Sequence, residues 1–163
     1  MISLSLTAIN ARSPYHIDKM NEYTFVFSTN QKLEYSISVE EDQIIAGCQT
    51  FQFVIRNLSH NKGSYDPFVK TSILAILYEF FDKNNDVLLY ICDTSDGREA
   101  SRNRLFIRWF EQEDIEGRFV IRSANAVVEG EGFYAAIIVQ NSHPHLKEII
   151  EEFDYIADNL TEK

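Results

Sequence analysis

The chain has little of what holds small folds together by other means. Of its 163 residues, two are cysteine, three proline and six glycine. So few glycines and prolines exclude a collagen-like repeat and leave no low-complexity tract or linker to divide the chain. Cys48 and Cys92 lie inside hydrophobic runs at expected strand positions, where a free thiol behaves as a small buried hydrophobe, so no disulfide is expected. Long apolar runs are missing as well. Stretches such as Val87–Cys92 and Phe133–Val139 fall far short of the roughly 20 residues that a membrane span needs. Basic residues are scarce, 15 Lys and Arg against 25 Asp and Glu, for a formal net charge of -10. Nucleic-acid binding rests on Lys and Arg displacing counterions from phosphates, so neither DNA nor RNA is expected as a partner. The opening residues Met1–Leu6 carry no basic cluster and no small-residue cleavage pattern, which places the expected chain in the cytoplasm. Phosphate-loop, dinucleotide-fingerprint, zincin and serine-hydrolase patterns are all absent, and no cofactor is implied.

What is present is a hydrophobic fraction of 45%, with 13% of the chain aromatic. A chain of this size buries about 70% of its unfolded surface, enough for one globular domain over residues 1–163 without metal or disulfide support. Residues 1–20 read as a polar lead-in. Tyr23–Phe27 and Leu33–Val39 then alternate with period two across a turn-forming stretch, which predicts a hairpin with Tyr23, Phe25, Phe27, Leu33, Tyr35, Ile37 and Val39 on one buried face. Thr24, Glu34, Ser36 and Ser38 are expected to meet water. An acidic connection, Glu40–Gln43, leads to a third strand with Phe51, Phe53 and Ile55 on one side.

Asp66 and Pro67 form a helix start, the Asp as cap and the Pro at the first turn, where its missing N–H costs nothing. The helix is expected to run to about Lys83 with Val69, Ile73, Ile76, Leu77 and Phe80 as its apolar stripe. Val87–Cys92 is apolar without alternation, as in a strand covered on both faces, and is therefore placed near the middle of the sheet. Asp96 with Glu99 resembles a capping box opening a second helix through about Phe110. Arg118–Val128 and Phe133–Gln140 flank a glycine-containing turn and predict two more strands. A last helix follows Pro144, with Leu146, Ile149, Ile150, Phe153, Ile156, Ala157 and Leu160 on its apolar side and Glu148, Glu151, Glu152 and Asp158 mostly outside it. The order is βββαβαββα, an α+β domain with a mostly antiparallel sheet covered by helices.

The densest polar cluster is Cys92-Asp93-Thr94-Ser95-Asp96-Gly97-Arg98, followed by Arg102, Arg104 and Arg108. It stands where a strand end meets a helix start, a place where backbone N–H groups and the helix dipole favour anions. Arg98 and Arg102 share a helix side with Leu105 and Trp109. They could hold a phosphate or carboxylate with Asp93 or Asp96 orienting them. The competing structural account is an internal Asp93–Arg pair with Asp96 as a cap. Asp93 and Asp96 as Mg²⁺ ligands of a hydrolase are a third account, weakened by the lack of another ligand nearby. His143-Pro144-His145 could serve acid–base or metal chemistry, although capping at the helix start explains it better. Cys92 lacks the neighbouring His that a nucleophilic thiol needs.

The aromatic hairpin Tyr23–Val39 and the segment Cys92-Asp93-x-x-Asp96-Gly97-Arg98-x-x-x-Arg102-x-Arg104-x-Phe106-x-x-Trp109 resemble a small uncharacterised bacterial domain family, a resemblance that implies no function. The residues themselves favour a non-catalytic, cytoplasmic protein-interaction module, self-associating or neutralising a basic partner by charge steering. The alternative is a small-anion site or metal-dependent hydrolase at Asp93, Asp96, Arg98 and Arg102.

Overall fold

The computed structural model describes residues 3–59, 66–93, 107–112, 117–128 and 130–160. In chain order its elements are α1 (Leu6–Arg12), β1 (Asp18–Lys19), β2 (Thr24–Ser28), β3 (Glu34–Ile45), β4 (Cys48–Asn57), α2 (Pro67–Lys83) and β5 (Val87–Asp93). There follow α3, the helical residues 107–112, then β6 (Phe119–Val128), β7 (Glu131–Gln140) and α4 (Leu146–Leu160). The fold is α+β. Its seven-stranded sheet has the order β1-β2-β3-β4-β5-β7-β6. The pairings β1–β2, β2–β3, β5–β7 and β6–β7 are antiparallel, and β4–β5 is parallel. A parallel neighbour requires a long crossover, which α2 provides between β4 and β5. The expected apolar strand is β5, an interior strand of the sheet. Among the described residues, no helix is long and apolar enough to cross a membrane.

By compactness the chain divides into two units, Met1–Glu40 with Phe53–Asn84, and Glu41–Gln52 with Asn85–Lys163. In the first unit the sequence pattern of α2 is realised. Asp66 Oδ1 accepts from Phe68 N–H at 2.9 Å, and Pro67 opens the helix. The stripe is buried, with Ile76, Leu77 and Phe80 at 0% exposure. Each such side chain contributes about 1.5–3 kcal/mol relative to exposure. The β2–β3 hairpin buries Phe25, Phe27, Leu33, Ile37 and Val39 as expected, but Tyr35 is half-buried, and Tyr23, which precedes β2, is 43% exposed rather than part of that face. Phe27 stacks on Tyr35 at 5.5 Å and on Tyr15 at 5.9 Å, and Phe68 meets Tyr15 edge-on at 5.8 Å.

Three further expectations in and beside this unit are corrected. Thr24 and Ser36 are buried rather than solvated. Thr24 Oγ1 and Ser38 Oγ lie 3.1 Å apart, so a cross-strand hydroxyl pair replaces water there. Residues 1–20 are not a bare lead-in but hold α1 and β1, and Ile9 and Ile17 are fully buried. Ser5 caps α1 by accepting from Ala8 N–H at 3.2 Å, while Arg12–Asp82 at 3.0 Å and Ser13–Ser72 at 2.9 Å tie its end to α2. Asn10 closes the next loop, donating to Ile17 C=O and accepting from Ile17 N–H. Finally, Glu40–Gln43 is no connection. β3 runs unbroken to Ile45. Gln49 Nε2 donates to Asp42 C=O at 2.8 Å, and Thr50 Oγ1 donates to Gln43 C=O. The chain reverses instead at Ala46 and Gly47, both at positive φ (52° and 75°) as a tight hairpin turn demands.

The second unit packs α4 on the sheet. Ile149 and Phe153, one turn apart, join Ile45, Val87, Leu89, Ile137 and Val139 in one buried cluster. Cys48, Ala124, Ala135, Leu146 and Ile156 pack around it. β6 and β7 pair along their whole length from Phe119↔Gln140 to Val128↔Glu131, and Gly130 takes φ +79° in the turn between them.

Candidate functional site

Of the residues expected to carry a ligand, Asp93 closes β5, its backbone paired with Phe133 of β7. Asp96, Arg98 and Arg102 lie outside the described residues. So does most of the helix expected from Asp96, of which α3 preserves the end, with Phe110 packing on Phe119 at 4.9 Å. Among the described residues, no group of three or more His, Cys, Asp or Glu side chains is placed to hold a metal.

His143 and His145 meet within the loop that leads into α4. His143 Nδ1 accepts from His145 N–H at 3.0 Å, with the rings 6.0 Å apart. This fixes the turn into α4 and leaves the proton on Nε2. Half-buried Asp86, just before β5, lies close enough to interact with His143. Burial raises the Asp86 carboxyl above the usual range, and His143 pulls it partly back. Burial likewise lowers His143, and His145 adds to that, against the upward pull of Asp86 and of a hydrogen bond with the Asn85 backbone. At the start of β4, Cys48 Sγ donates to Ala46 C=O at 3.6 Å. Its thiol is pushed up by burial first, then by Asp86, Glu148 and Glu152. Such a thiol stays protonated, the opposite of what a nucleophile or metal ligand requires.

The other polar arrangement of this unit lies where α4 runs beside β6. Arg122 of β6 donates from Nε and an Nη to the two carboxylate oxygens of Asp154, at 2.9 and 2.8 Å. That double contact raises the guanidinium above its ordinary value and uses its charge. It also orients α4, since Asp154 marks the flank beside β6. At 100° per residue, Lys147, Glu151 and Asp158 stand seven and three residues before it and four after, and share that flank. All three are exposed. Lys147 reaches Glu151 only at 4.0 Å. Tyr155, the next residue round the outer surface, is 69% exposed. Glu152 turns the other way and accepts from Ala46 N–H at the β3–β4 turn. The acidic residues of α4 were legible as lying outside its apolar stripe, but nothing in the sequence showed which of them stand beside β6.

With this geometry in place, the comparisons can be read. Residues 65–155 match a protein family described as a family of unknown function, DUF6169. The chain belongs to that family. The matched region contains α2 through most of α4 and the Cys92–Trp109 segment, but not the aromatic hairpin. No curated protein matches the chain. Among solved structures, the N-terminal domain of a ribosomal-protein-alanine acetyltransferase from Clostridium acetobutylicum ATCC 824 is similar at 16% identity and a TM-score of 0.43, over 81% of this chain and 95% of that one. The CoA-dependent acyl-homoserine lactone synthase MesI is similar at 12% identity and a TM-score of 0.37, over 89% of this chain and 75% of that one.

Proposed function

We propose that this DUF6169 chain is a non-catalytic protein-interaction module whose partner is basic. The observation that carries the reading is the outward surface of α4, where Glu148, Glu151 and Asp158 surround the exposed Tyr155 and Lys147 is the one basic residue of the helix among the described residues. In a chain of net charge -10, that surface attracts a cationic partner over long range and repels an acidic one. Tyrosine suits such a surface because it offers a rigid apolar ring with a polar tip at small entropic cost.

The test is fluorescence anisotropy with two labelled ten-residue peptides, one alternating Lys with Thr and one alternating Glu with Thr. The Lys peptide is expected to bind with an affinity that falls as salt rises. The doubly reversed variant Glu151→Lys/Asp158→Lys is expected to weaken it about tenfold or more. Equal binding of the two peptides, or no binding of the Lys peptide at low salt, overturns the reading.

A further inference from the structure

β6 is the last strand of the sheet order, and it is ten residues long. Its hydrogen-bonding parity follows from one bond beyond its start. Asn141 N–H donates to Arg118 C=O at 2.8 Å. With the unbroken register, the even-numbered residues of β6 therefore bond to β7 and the odd-numbered ones turn their N–H and C=O groups outward. The tight β6–β7 turn requires the same parity, because Val128 and Glu131 must be the bonded pair that closes it. Ile121, Ser123, Asn125 and Val127 thus present main-chain donors and acceptors with no partner among the described residues. Ser123 and Asn125 are exposed. Long free edges are normally blunted by proline, a bulge or lysine. β6 has no proline, its register shows no bulge, and its single charge, Arg122, is spent on Asp154.

We infer that β6 is a docking edge, and that its occupant is an extended basic segment of another protein, added as an eighth strand with its cationic side chains on the α4 side. The inference rests on the basic-partner reading above and gives it a place and a conformation. The open edge carries it, and charge chooses the occupant. Side chains on the α4 face of an added strand would lie beside Glu151 and Asp158, which suits lysine or arginine. A second copy joined edge to edge would bring the same acidic flank of its own α4 against this one.

The parity makes the test specific. In an antiparallel added strand, the residues whose N–H groups point at β6 carry side chains on the face away from α4. In the Lys/Thr peptide those are the threonines. N-methylating every Thr is therefore expected to weaken binding about tenfold or more, while N-methylating every Lys leaves it near the parent value. Hydrogen exchange of the whole protein should slow at the amides of Ile121, Ser123, Asn125 and Val127 when the parent peptide binds. Ser123→Pro, which removes only an outward N–H, should abolish binding with the melting temperature kept, and Asn125→Pro serves if that variant fails to fold. Loss in the Lys-methylated series instead indicates parallel addition and still supports the edge. Equal affinity of all three peptides with salt sensitivity intact overturns strand addition and leaves the basic-partner reading standing. No binding by any of them overturns both. Protection of the odd amides without peptide, rising with protein concentration alongside a doubled mass, shows that a second copy occupies the edge and overturns the inference.

Discussion

Replacing Tyr15 by Phe tests how the first unit is tied together. The Tyr15 hydroxyl donates to Asp66 Oδ2 and accepts from Asn30 N–H at 3.3 Å, while Asp66 Oδ1 caps α2. One oxygen atom therefore joins the segment after α1, the β2–β3 turn and the start of α2. Phenylalanine keeps the ring against Phe27 and Phe68 and deletes only that atom. Tyr15 is 8% exposed, so water replaces the lost bond to Asp66 poorly. A hydrogen bond to a charged group is worth roughly 1.5–3 kcal/mol, whereas Asn30 is exposed and its N–H can turn to water. At about 2–4 °C per kcal/mol for a chain of this size, the melting temperature should fall by about 3–12 °C. The pH dependence gives a second reading. Burial, and then the bond to Asp66, raise the Tyr15 hydroxyl above its ordinary 10.0. The folded chain thus holds a proton that the unfolded chain has released, and the stabilisation present below pH 10.0 is lost as pH rises through the folded value. Wild type should lose stability relative to Tyr15→Phe in that window. Circular-dichroism melts of both chains, at neutral pH and above pH 10, measure both effects. Equal melting at neutral pH, with parallel curves in alkali, would refute the account.

Other perturbations probe the rest of the fold. Leu77→Ala, at a fully buried position of α2, should cost about 2–5 kcal/mol in urea unfolding; a cost under about 1 kcal/mol would mean that the stripe is not core. His143→Gln should help as pH falls. The folded imidazole lies below its ordinary 6.5, so the unfolded chain binds the proton first and wild type loses stability relative to the variant as pH drops through 6.5 towards the folded value. Melts from pH 7.5 to 5 check this, and a constant difference between the two chains would contradict it. Gly130→Ala places a Cβ at φ +79° with no atom within 4 Å of it, so its cost should be purely conformational, about 1–2 kcal/mol. A larger loss would reveal a contact at that turn.

The elements legible in the sequence were those set by short-range chemistry. Asp66-Pro67 starts α2 because a carboxylate oxygen can satisfy Phe68 N–H within the first turn, and the 3- and 4-residue spacing of Val69, Ile73, Ile76, Leu77 and Phe80 commits one side of that helix to burial. Period-two alternation likewise announced the β2–β3 hairpin, and a glycine at the right interval announced the β6–β7 turn. α1 was not legible, because a helix of seven residues is marginal alone and persists through contacts made by Ser13 and Arg12 with α2. The acidic end of β3 was hidden for a related reason. Glu40–Gln43 has poor strand propensity, and it is held extended by partners near Gln49 and Thr50 that only the folded hairpin supplies.

Composition by itself determined that the chain has an acidic surface and a core rich in aromatic and aliphatic side chains, because charge and hydrophobicity are sums over residues. Tertiary structure alone decided where these meet. Glu151 and Asp158 stand beside β6 because Arg122 and Asp154 join α4 to that strand, and among the described residues β6 has a single neighbouring strand because it comes last in the order β1-β2-β3-β4-β5-β7-β6. Strand order and edge parity are relations between segments far apart in the chain. Local propensity does not encode them.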